Sequence, residues 1–119
     1  MVKIDEMGFG WITVDGKKHR HDVVIFPSGE VKKRKGGFLM FGSHSFKRKE
    51  FEELSVEKAD VLVVGTGTDG VAKISEEAKD FLEKAKVKLI ALPSLEAVKK
   101  FNELVEHGKK VGAIIHVTC

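Results

Sequence analysis

The sequence predicts an α/β fold: a mixed sheet with three parallel carboxyl-terminal strands joined by crossover helices, plus an amino-terminal antiparallel β-meander forming an extra layer. Three observations predict it. The first third of the chain carries β-branched and aromatic runs separated by turn dipeptides such as Asp15-Gly16. From residue 60 onward, apolar runs alternate with amphipathic segments of helical period. The length of 119 residues suits one core, so residues 1–119 are taken as a single domain.

The meander begins at residues 9–14, where aromatic and β-branched side chains favour a strand. Asp15 and Gly16 tolerate positive φ and predict the two-residue turn of a hairpin. The returning strand is predicted at residues 18–26, and its apolar end indicates burial on both faces. Further short strands are predicted near residues 30–33 and 38–41.

Helical period begins at Ser45, which we take as the N-cap of a helix to about Leu54. Short connections between the elements that follow predict parallel strands joined by right-handed crossovers. These elements are a strand at 60–65, a helix at 75–86, a strand at 87–92, a helix at 94–107 and a strand at 110–117.

The two long helices carry clear starting signals. Ser75 and Ser94 are the expected N-caps, since each precedes an apolar helical repeat. The side chains expected to face the core from the second helix are Leu95, Val98, Phe101 and Val105.

Composition excludes several protein classes. With 42% hydrophobic and 33% charged residues, the chain is neither disordered nor fibrous. No apolar run approaches the roughly 20 residues of a membrane span, and the acidic start is unlike a signal peptide. The single cysteine, Cys119, favours a reducing compartment, so we expect a cytoplasmic protein. The lack of Gln and the single Asn predict a thermophilic source, which an ordinary mesophilic melting temperature would contradict.

The net charge of +3 is unevenly distributed. Most of the basic excess lies in residues 32–35 and 47–49. Such runs either contact a phosphate backbone or lie in solvated turns. Because the chain has no Tyr and no aromatic residues alternate with the basic ones, we expect solvated surfaces and no nucleic-acid partner.

The carboxyl ends of parallel strands share one edge of a sheet, where open α/β sheets usually bind ligands. The three predicted strands each end in residues that could contact a ligand there. The candidate ligand-binding residues are Gly65, Thr66, Gly67, Thr68, Asp69, Ser94 and His116.

The glycine-rich loop in this set matches G-x-G-x-x-G between Gly65 and Gly70. Four residues separate it from the helix cap Ser75, and no carboxylate follows at the spacing that would bind a ribose. We therefore expect no nicotinamide or flavin cofactor. The loop is either a simple turn or a cradle for a smaller anion.

The histidine and cysteine side chains have more than one interpretation. His116 interrupts an apolar strand and needs a hydrogen-bond partner, so it is either structural or a general acid or base. His19 and His21 share a face, but two ligands do not make a metal site, and we expect no bound metal. Cys119 is either an inert thiol or a nucleophile.

The ending Gly112-Ala113-Ile114-Ile115-His116-Val117-Thr118-Cys119, preceded by Leu92-Pro93-Ser94, resembles the MTH-type domain family. Further matching segments are Asp22-Val23-Val24, Gly42-Ser43-His44, Val63-Val64-Gly65-Thr66-Gly67 and Phe101-Asn102. The family includes archaeal and bacterial stand-alone proteins, an adipogenesis-associated protein and a mitochondrial assembly factor for respiratory complex I.

The resemblance implies a mixed sheet with helices on one side and an additional β-layer, and it implies no established activity. Ser94 stands where the family usually has Thr, which keeps a hydroxyl. Phe101 stands where Tyr is usual, which removes a phenol and with it any catalytic role for that group.

Two functions follow as alternatives, and the sequence does not decide whether the protein is an enzyme. We favour a non-enzymatic interaction or assembly domain that self-associates or binds a protein partner through strand edges or the basic face between Lys32 and Lys49. The alternative is a small enzyme or binder of small anionic ligands. In it, the loop amides hold the anion, Thr66 and Ser94 orient it, and His116 is the acid or base.

Overall fold

The computed structural model describes residues 1–35, 45–54 and 56–119. The strand predicted at 38–41 and the Gly42-Ser43-His44 segment lie outside the described residues. The strands are β1 (Ile4–Gly8), β2 (Trp11–Val14), β3 (Lys17–His19), β4 (Val23–Ile25), β5 (Val31–Lys33), β6 (Ser45–Phe46), β7 (Val61–Thr66), β8 (Lys73–Ile74), β9 (Lys88–Leu92) and β10 (Val111–His116). The helices are α1 (Arg48–Glu52), α2 (Glu76–Lys84) and α3 (Ser94–Glu106), with one 3₁₀ turn at Val56–Lys58.

The central sheet has five strands in the order β5-β4-β10-β7-β9. β10, β7 and β9 run parallel, as predicted, while β4 and β5 are antiparallel to their neighbours. β7 and β10 are buried along their full length because both faces of the sheet are covered.

The two crossover helices lie on opposite faces of this sheet. α2 connects β7 to β9, and α3 returns from β9 past β7 to β10, so two right-handed connections that run in opposite directions cover opposite faces. Leu82 of α2 packs with Leu62, whereas Phe101 of α3 packs with Val63. The expectation of helices on one side only is therefore wrong.

The sheet β1-β2-β3 forms the predicted extra layer, on the α3 face. Ile4 and Ile12 share a core with Phe101. The predicted hairpin turn joins β2 to β3, with Asp15 at φ 49° and Gly16 at φ 81°. The fold class predicted from the sequence is confirmed.

The single strand predicted at residues 18–26 is two strands in two sheets. β3 pairs with β2, whereas β4 pairs with β10 and β5. The polar residues 20–22 carry the chain from one sheet to the other. Asp22 lies at this crossing, immediately before β4.

Two helix starts also differ from prediction. Ser45 belongs to β6, and α1 begins after Lys47, whose N–H donates to the Glu50 carboxylate at 2.9 Å. α3 begins after Pro93, and Leu95, expected in the core, is 52% exposed. Among the described residues, no helix is long and apolar enough to cross a membrane.

Candidate functional site

His116, the last residue of β10, is 2% exposed and makes hydrogen bonds through both ring nitrogens. Its Nδ1 lies 2.7 Å from Asp22 Oδ2, and its Nε2 lies 3.2 Å from the hydroxyl of Thr118. The other Asp22 oxygen accepts the Val117 N–H at 2.8 Å. The polar crossing before β4 thus supplies the partner that the sequence required for this imidazole.

Arg34 extends this group of side chains into the core. Its guanidinium donates to Asp22 at 2.8 Å, to the Ser45 carbonyl at 2.8 Å and to both oxygens of Glu50, and it stacks over Phe46. Arg34 is 4% exposed, unlike its lysine neighbours, so this member of the basic run is not solvated. We call Asp22, Arg34, Glu50, His116 and Thr118 the buried polar cluster.

Charge pairing fixes the protonation of two members of the cluster. Burial acts to raise the pKa of Asp22, but hydrogen bonds from His116, Val117 and Arg34 outweigh it and hold that pKa below its ordinary value. For Arg34, burial acts to lower the pKa, and Glu50 and Asp22 reverse that effect and raise it. The cluster therefore contains an ionised carboxylate beside a permanently charged guanidinium.

An ionised Asp22 also selects the imidazole tautomer. A carboxylate can only accept, so Nδ1 of His116 carries the hydrogen of the 2.7 Å bond. When the imidazole is neutral, Nε2 is then an acceptor to which the Thr118 hydroxyl donates. Asp22, His116 and Thr118 thus form a chain of carboxylate, imidazole and hydroxyl.

Ser94 joins the loop after β7 to the end of β10. Its hydroxyl donates to the His116 carbonyl at 2.6 Å and accepts the Gly67 N–H at 2.8 Å. The predicted capping role is wrong: Pro93 occupies the N-cap, and no side chain caps α3. The approach is tight, since a Cβ on Gly65 would lie 2.7 Å from this hydroxyl.

The loop amides bind within the chain rather than pointing into an open cradle. Thr68 N–H donates to the Thr118 carbonyl at 2.7 Å, and Val71 N–H donates to the Cys119 carbonyl at 3.2 Å. Gly67 has φ 106°, and a Cβ there would lie 2.3 Å from the Cys119 backbone, so this contact requires glycine. In this conformation, the Gly67, Thr68 and Val71 amides are already occupied.

The structure brings some of the candidate residues together and separates others. Gly65 and Gly67 lie against the Ser94 hydroxyl, which donates to the His116 carbonyl. The Thr66 hydroxyl instead donates to the Leu92 carbonyl at 3.1 Å, and Asp69 is exposed. Ligand binding by this set stays a prediction.

The other histidine pair adjoins the cluster at the Asp22 backbone, where His21 Nδ1 lies 2.9 Å from the Asp22 carbonyl oxygen. The rings of His19 and His21 are 5.5 Å apart at the β3 end, and burial, the nearby His21 and Lys17 lower the pKa of His19. Within the described residues, no group of three or more His, Cys, Asp or Glu side chains is placed to hold a metal.

Sequence reasoning missed four members of the buried polar cluster. The one sign of the cluster in the sequence is His116 within an apolar strand, a position that requires a hydrogen-bond partner but does not identify it. Asp22 lies 94 positions away, and Arg34 is one cation within a run of lysines. Thr118 was visible only as part of the ending that resembles a family.

Comparisons with known proteins agree with that resemblance. The sequence profile of the family described as "protein of unknown function (DUF498/DUF598)" matches residues 4–116. A conserved hypothetical protein from Pyrococcus horikoshii OT3 is 39% identical, with a TM-score of 0.83, and the match covers 98% of this chain and 99% of that one. A solved structure titled MT938 is 31% identical over 100% of both chains, with a TM-score of 0.83.

A third structure extends the fold to a more distant sequence. A Bordetella pertussis protein described as a Mth938-like domain is 16% identical, with a TM-score of 0.74, over 97% of this chain and 85% of that one. Together with the family profile, these names confirm the resemblance to the MTH-type domain.

Proposed function

The chain belongs to the DUF498/DUF598 family of proteins of unknown function, and we propose that this member is a non-enzymatic interaction domain that self-associates through edge strand β9. The proposal includes a cytoplasmic location and a thermophilic source, which rest on composition alone. The observation that carries it is the edge of β9 that pairs with no strand among the described residues.

β9 hydrogen-bonds to β7 on one side, and no strand in the described ranges pairs with its other side. Its sequence is Lys-Leu-Ile-Ala-Leu, with Ala91 exposed and Leu89, Ile90 and Leu92 only half-buried. An apolar edge strand with open backbone donors and acceptors is a template for a further strand, because the partner satisfies those groups.

A second copy of β9 is the occupant that this sequence suits best. Antiparallel pairing about Ile90 places Ile90 opposite its own counterpart and Lys88 opposite Leu92, so the two lysines do not meet. Within the described residues the other edge is β5, with the sequence Val-Lys-Lys, and the same pairing would place Lys32 opposite Lys32. Like charges directly opposite each other are destabilising, so β5 is protected where β9 is not.

The test is the oligomeric state of the full chain, measured by sedimentation over a range of concentrations. We expect a dimer for the wild type. We expect Ala91→Lys to raise the dissociation constant of the dimer by about 10-fold or more, because a lysine on an edge strand disfavours pairing with another strand. Ala85→Lys makes the same change at an exposed site at the end of α2 and should leave the dimer intact. A monomeric wild type, or equal effects of the two lysines, contradicts the proposal.

A second function is favoured by one specific observation, the orientation of His116 by Asp22. A buried imidazole whose tautomer is set by a carboxylate is the arrangement of a general acid or base. In this alternative, the edge defined by Gly67, Ser94 and His116 is the site of a small enzyme or small-ligand binder. Titration with inorganic phosphate, followed by amide chemical shifts, tests its anion-binding form: shifts at Thr68 and Asp69 support it, and unchanged shifts contradict it.

A further inference from the structure

We propose that Thr118, His116 and Asp22 form a triad that activates the Thr118 hydroxyl as the nucleophile of an acyl-transfer reaction on carboxylic esters with an apolar acyl group. This inference rests on the second of the two functions above and names its reaction and nucleophile.

The three side chains have the order and spacing of an activated nucleophile. The Thr118 hydroxyl lies 3.2 Å from His116 Nε2, and His116 Nδ1 lies 2.7 Å from Asp22. Nucleophile and base are expected within about 2.6–3.2 Å, with a third group orienting the base. Asp22 and His116 are separated by 94 positions, so their meeting is a product of the fold, not of sequence proximity.

The orienting carboxylate is itself held in place from two sides. Val117 N–H donates to one oxygen of Asp22, and Arg34 and His116 contact the other. Arg34 in turn is held by Glu50. Asp22 therefore stays ionised and fixed, which keeps the imidazole in the tautomer that accepts a proton from Thr118. Asp22 and Arg34 are positioning residues in this arrangement.

Exposure differs along the triad in the direction that catalysis needs. His116 is 2% exposed, whereas Thr118 is only half-buried, so the base is shielded and the residue that carries the nucleophile is partly exposed. The N–H of Cys119, which follows the nucleophile, has no acceptor within the described part of the chain and can donate to a developing oxyanion.

Exposed apolar side chains on segments that hydrogen-bond to the end of β10 indicate the acyl group. Among the described large apolar side chains, Phe9, Val71 and Leu95 are 65%, 53% and 52% exposed. All three are tied to the end of β10: Gly10, next to Phe9, donates to the Val117 carbonyl, Val71 donates to the Cys119 carbonyl, and Leu95 follows Ser94. Exposed apolar side chains on these segments favour a neutral ester with a hydrocarbon chain.

The reaction proceeds in two balanced steps. Thr118 Oγ attacks the ester carbonyl as its proton passes to His116 Nε2, and the bond from the carbonyl carbon to the leaving oxygen then breaks as that oxygen takes the proton. Water attacks the acyl-Thr118 ester with His116 as base, and this step releases the carboxylic acid and restores the hydroxyl. No oxidant or second substrate besides water is required.

The experiment treats the full chain with p-nitrophenyl butyrate, stops the reaction with acid and locates the butyryl group by peptide mass spectrometry. We expect acylation of Thr118 in the wild type and in Thr118→Ser, which keeps a hydroxyl, and none at this position in Thr118→Val. Thr13→Val removes another half-buried threonine in β2 and should leave the labelling of Thr118 unchanged. Asp22→Asn should slow the acylation of Thr118 by about 100-fold or more, because no carboxylate then holds the imidazole in the tautomer that accepts the Thr118 proton.

A butyryl group found only on Cys119 or on lysines, or release of p-nitrophenolate that is equal in the wild type and Thr118→Val, overturns the inference. If Asp22→Asn does not fold, the comparison of Thr118→Val with Thr118→Ser still tests the inference, because both variants keep the charged side chains of Asp22 and Arg34. Failure here is distinguishable from failure of the ligand site: phosphate-induced shifts without acylation of Thr118 keep the site and reject the triad.

Discussion

Ser94 joins two backbone segments through one hydroxyl, and its removal tests how much that junction contributes to stability. In Ser94→Ala, the buried Gly67 N–H and His116 carbonyl lose their partner. We expect the free energy of unfolding in urea to fall by about 1–3 kcal/mol, the cost of leaving a buried polar group unsatisfied.

Ser75→Ala provides the matched control for Ser94, since Ser75 is a true N-cap whose hydroxyl accepts the Ala78 N–H at 3.1 Å. Loss of that cap should cost about 1 kcal/mol and leave the loop after β7 unchanged. The amide shifts of Gly67 and Thr68 should therefore move in Ser94→Ala but not in Ser75→Ala. Unchanged loop shifts in Ser94→Ala would refute the junction.

Asp22 predicts how stability responds to acid. Its pKa is lower in the folded chain than in the unfolded chain, so its contribution is fully present above the unfolded value of about 3.9 and is lost as the pH falls through the lower folded value. The stability difference between the wild type and Asp22→Asn should be constant at neutral pH and shrink below about pH 4.

Urea unfolding at a series of pH values measures the effect of Asp22. Asp80→Asn, which removes an exposed carboxylate on α2, should change stability by less than about 0.5 kcal/mol throughout. A difference between the wild type and Asp22→Asn that stays constant down to pH 3 would show that the folded pKa is not depressed.

These residues also show where sequence reasoning about the site ends. A histidine in an apolar strand must be paired, and that much is visible from residues 113–117. The partner, Asp22, lies in the polar segment between β3 and β4, which the sequence predicted to be the middle of a single strand. Ser94 is a residue type that favours N-caps, but Pro93 occupies the N-cap, and the Ser94 hydroxyl instead accepts the Gly67 N–H of the loop after β7.

At the scale of elements, Asn102 couples α3 to the extra β-layer. Its side-chain oxygen accepts the Ile4 N–H at 2.9 Å, and its nitrogen donates to the Ile4 carbonyl at 2.8 Å. Asn102→Ala should lower the free energy of unfolding by about 1–3 kcal/mol, because the part-buried N–H and carbonyl of Ile4 both lose their hydrogen-bond partner. Glu103→Ala, which removes only an exposed ion pair with Lys100, should cost less than about 0.5 kcal/mol. Equal losses in the two variants would exclude this coupling.

Elements with one strong period were predictable, and elements with mixed patterns were not. β7, α2, β9, α3 and β10 lie within a residue or two of their predicted positions, because buried strands and amphipathic helices differ in period. β1 escaped prediction: Ile4 and Met7 are buried around exposed Asp5 and Glu6, so the strand lacks strict alternation and has an irregular register. The break between β3 and β4 arises because the two strands pair in different sheets, and the local sequence pattern does not indicate which sheet a strand joins.

For the whole molecule, the arrangement of layers predicts which parts open first. β7 and β10 belong to a sheet with both faces covered and are buried throughout. In the part of the chain that the structure describes, β3 is an edge strand with exposed Lys17 and Lys18. Amide hydrogen exchange reports local opening, which needs less free energy where few apolar contacts are lost. Amides of β7 and β10 should therefore exchange last, and those of β3 first.

The Asn102 variant separates local opening of the extra layer from general destabilisation. If α3 holds the layer through Ile4, Asn102→Ala should speed exchange in β1 and β2 by about 10-fold, since 1.4 kcal/mol corresponds to that factor, and change β7 and β10 less. Exchange that accelerates equally in all four strands would mean that the two sheets open as one cooperative unit. The extra layer would then be an inseparable part of the core, and the apolar contacts of Ile4 and Ile12 with Phe101, not the Asn102 hydrogen bonds, would hold it in place.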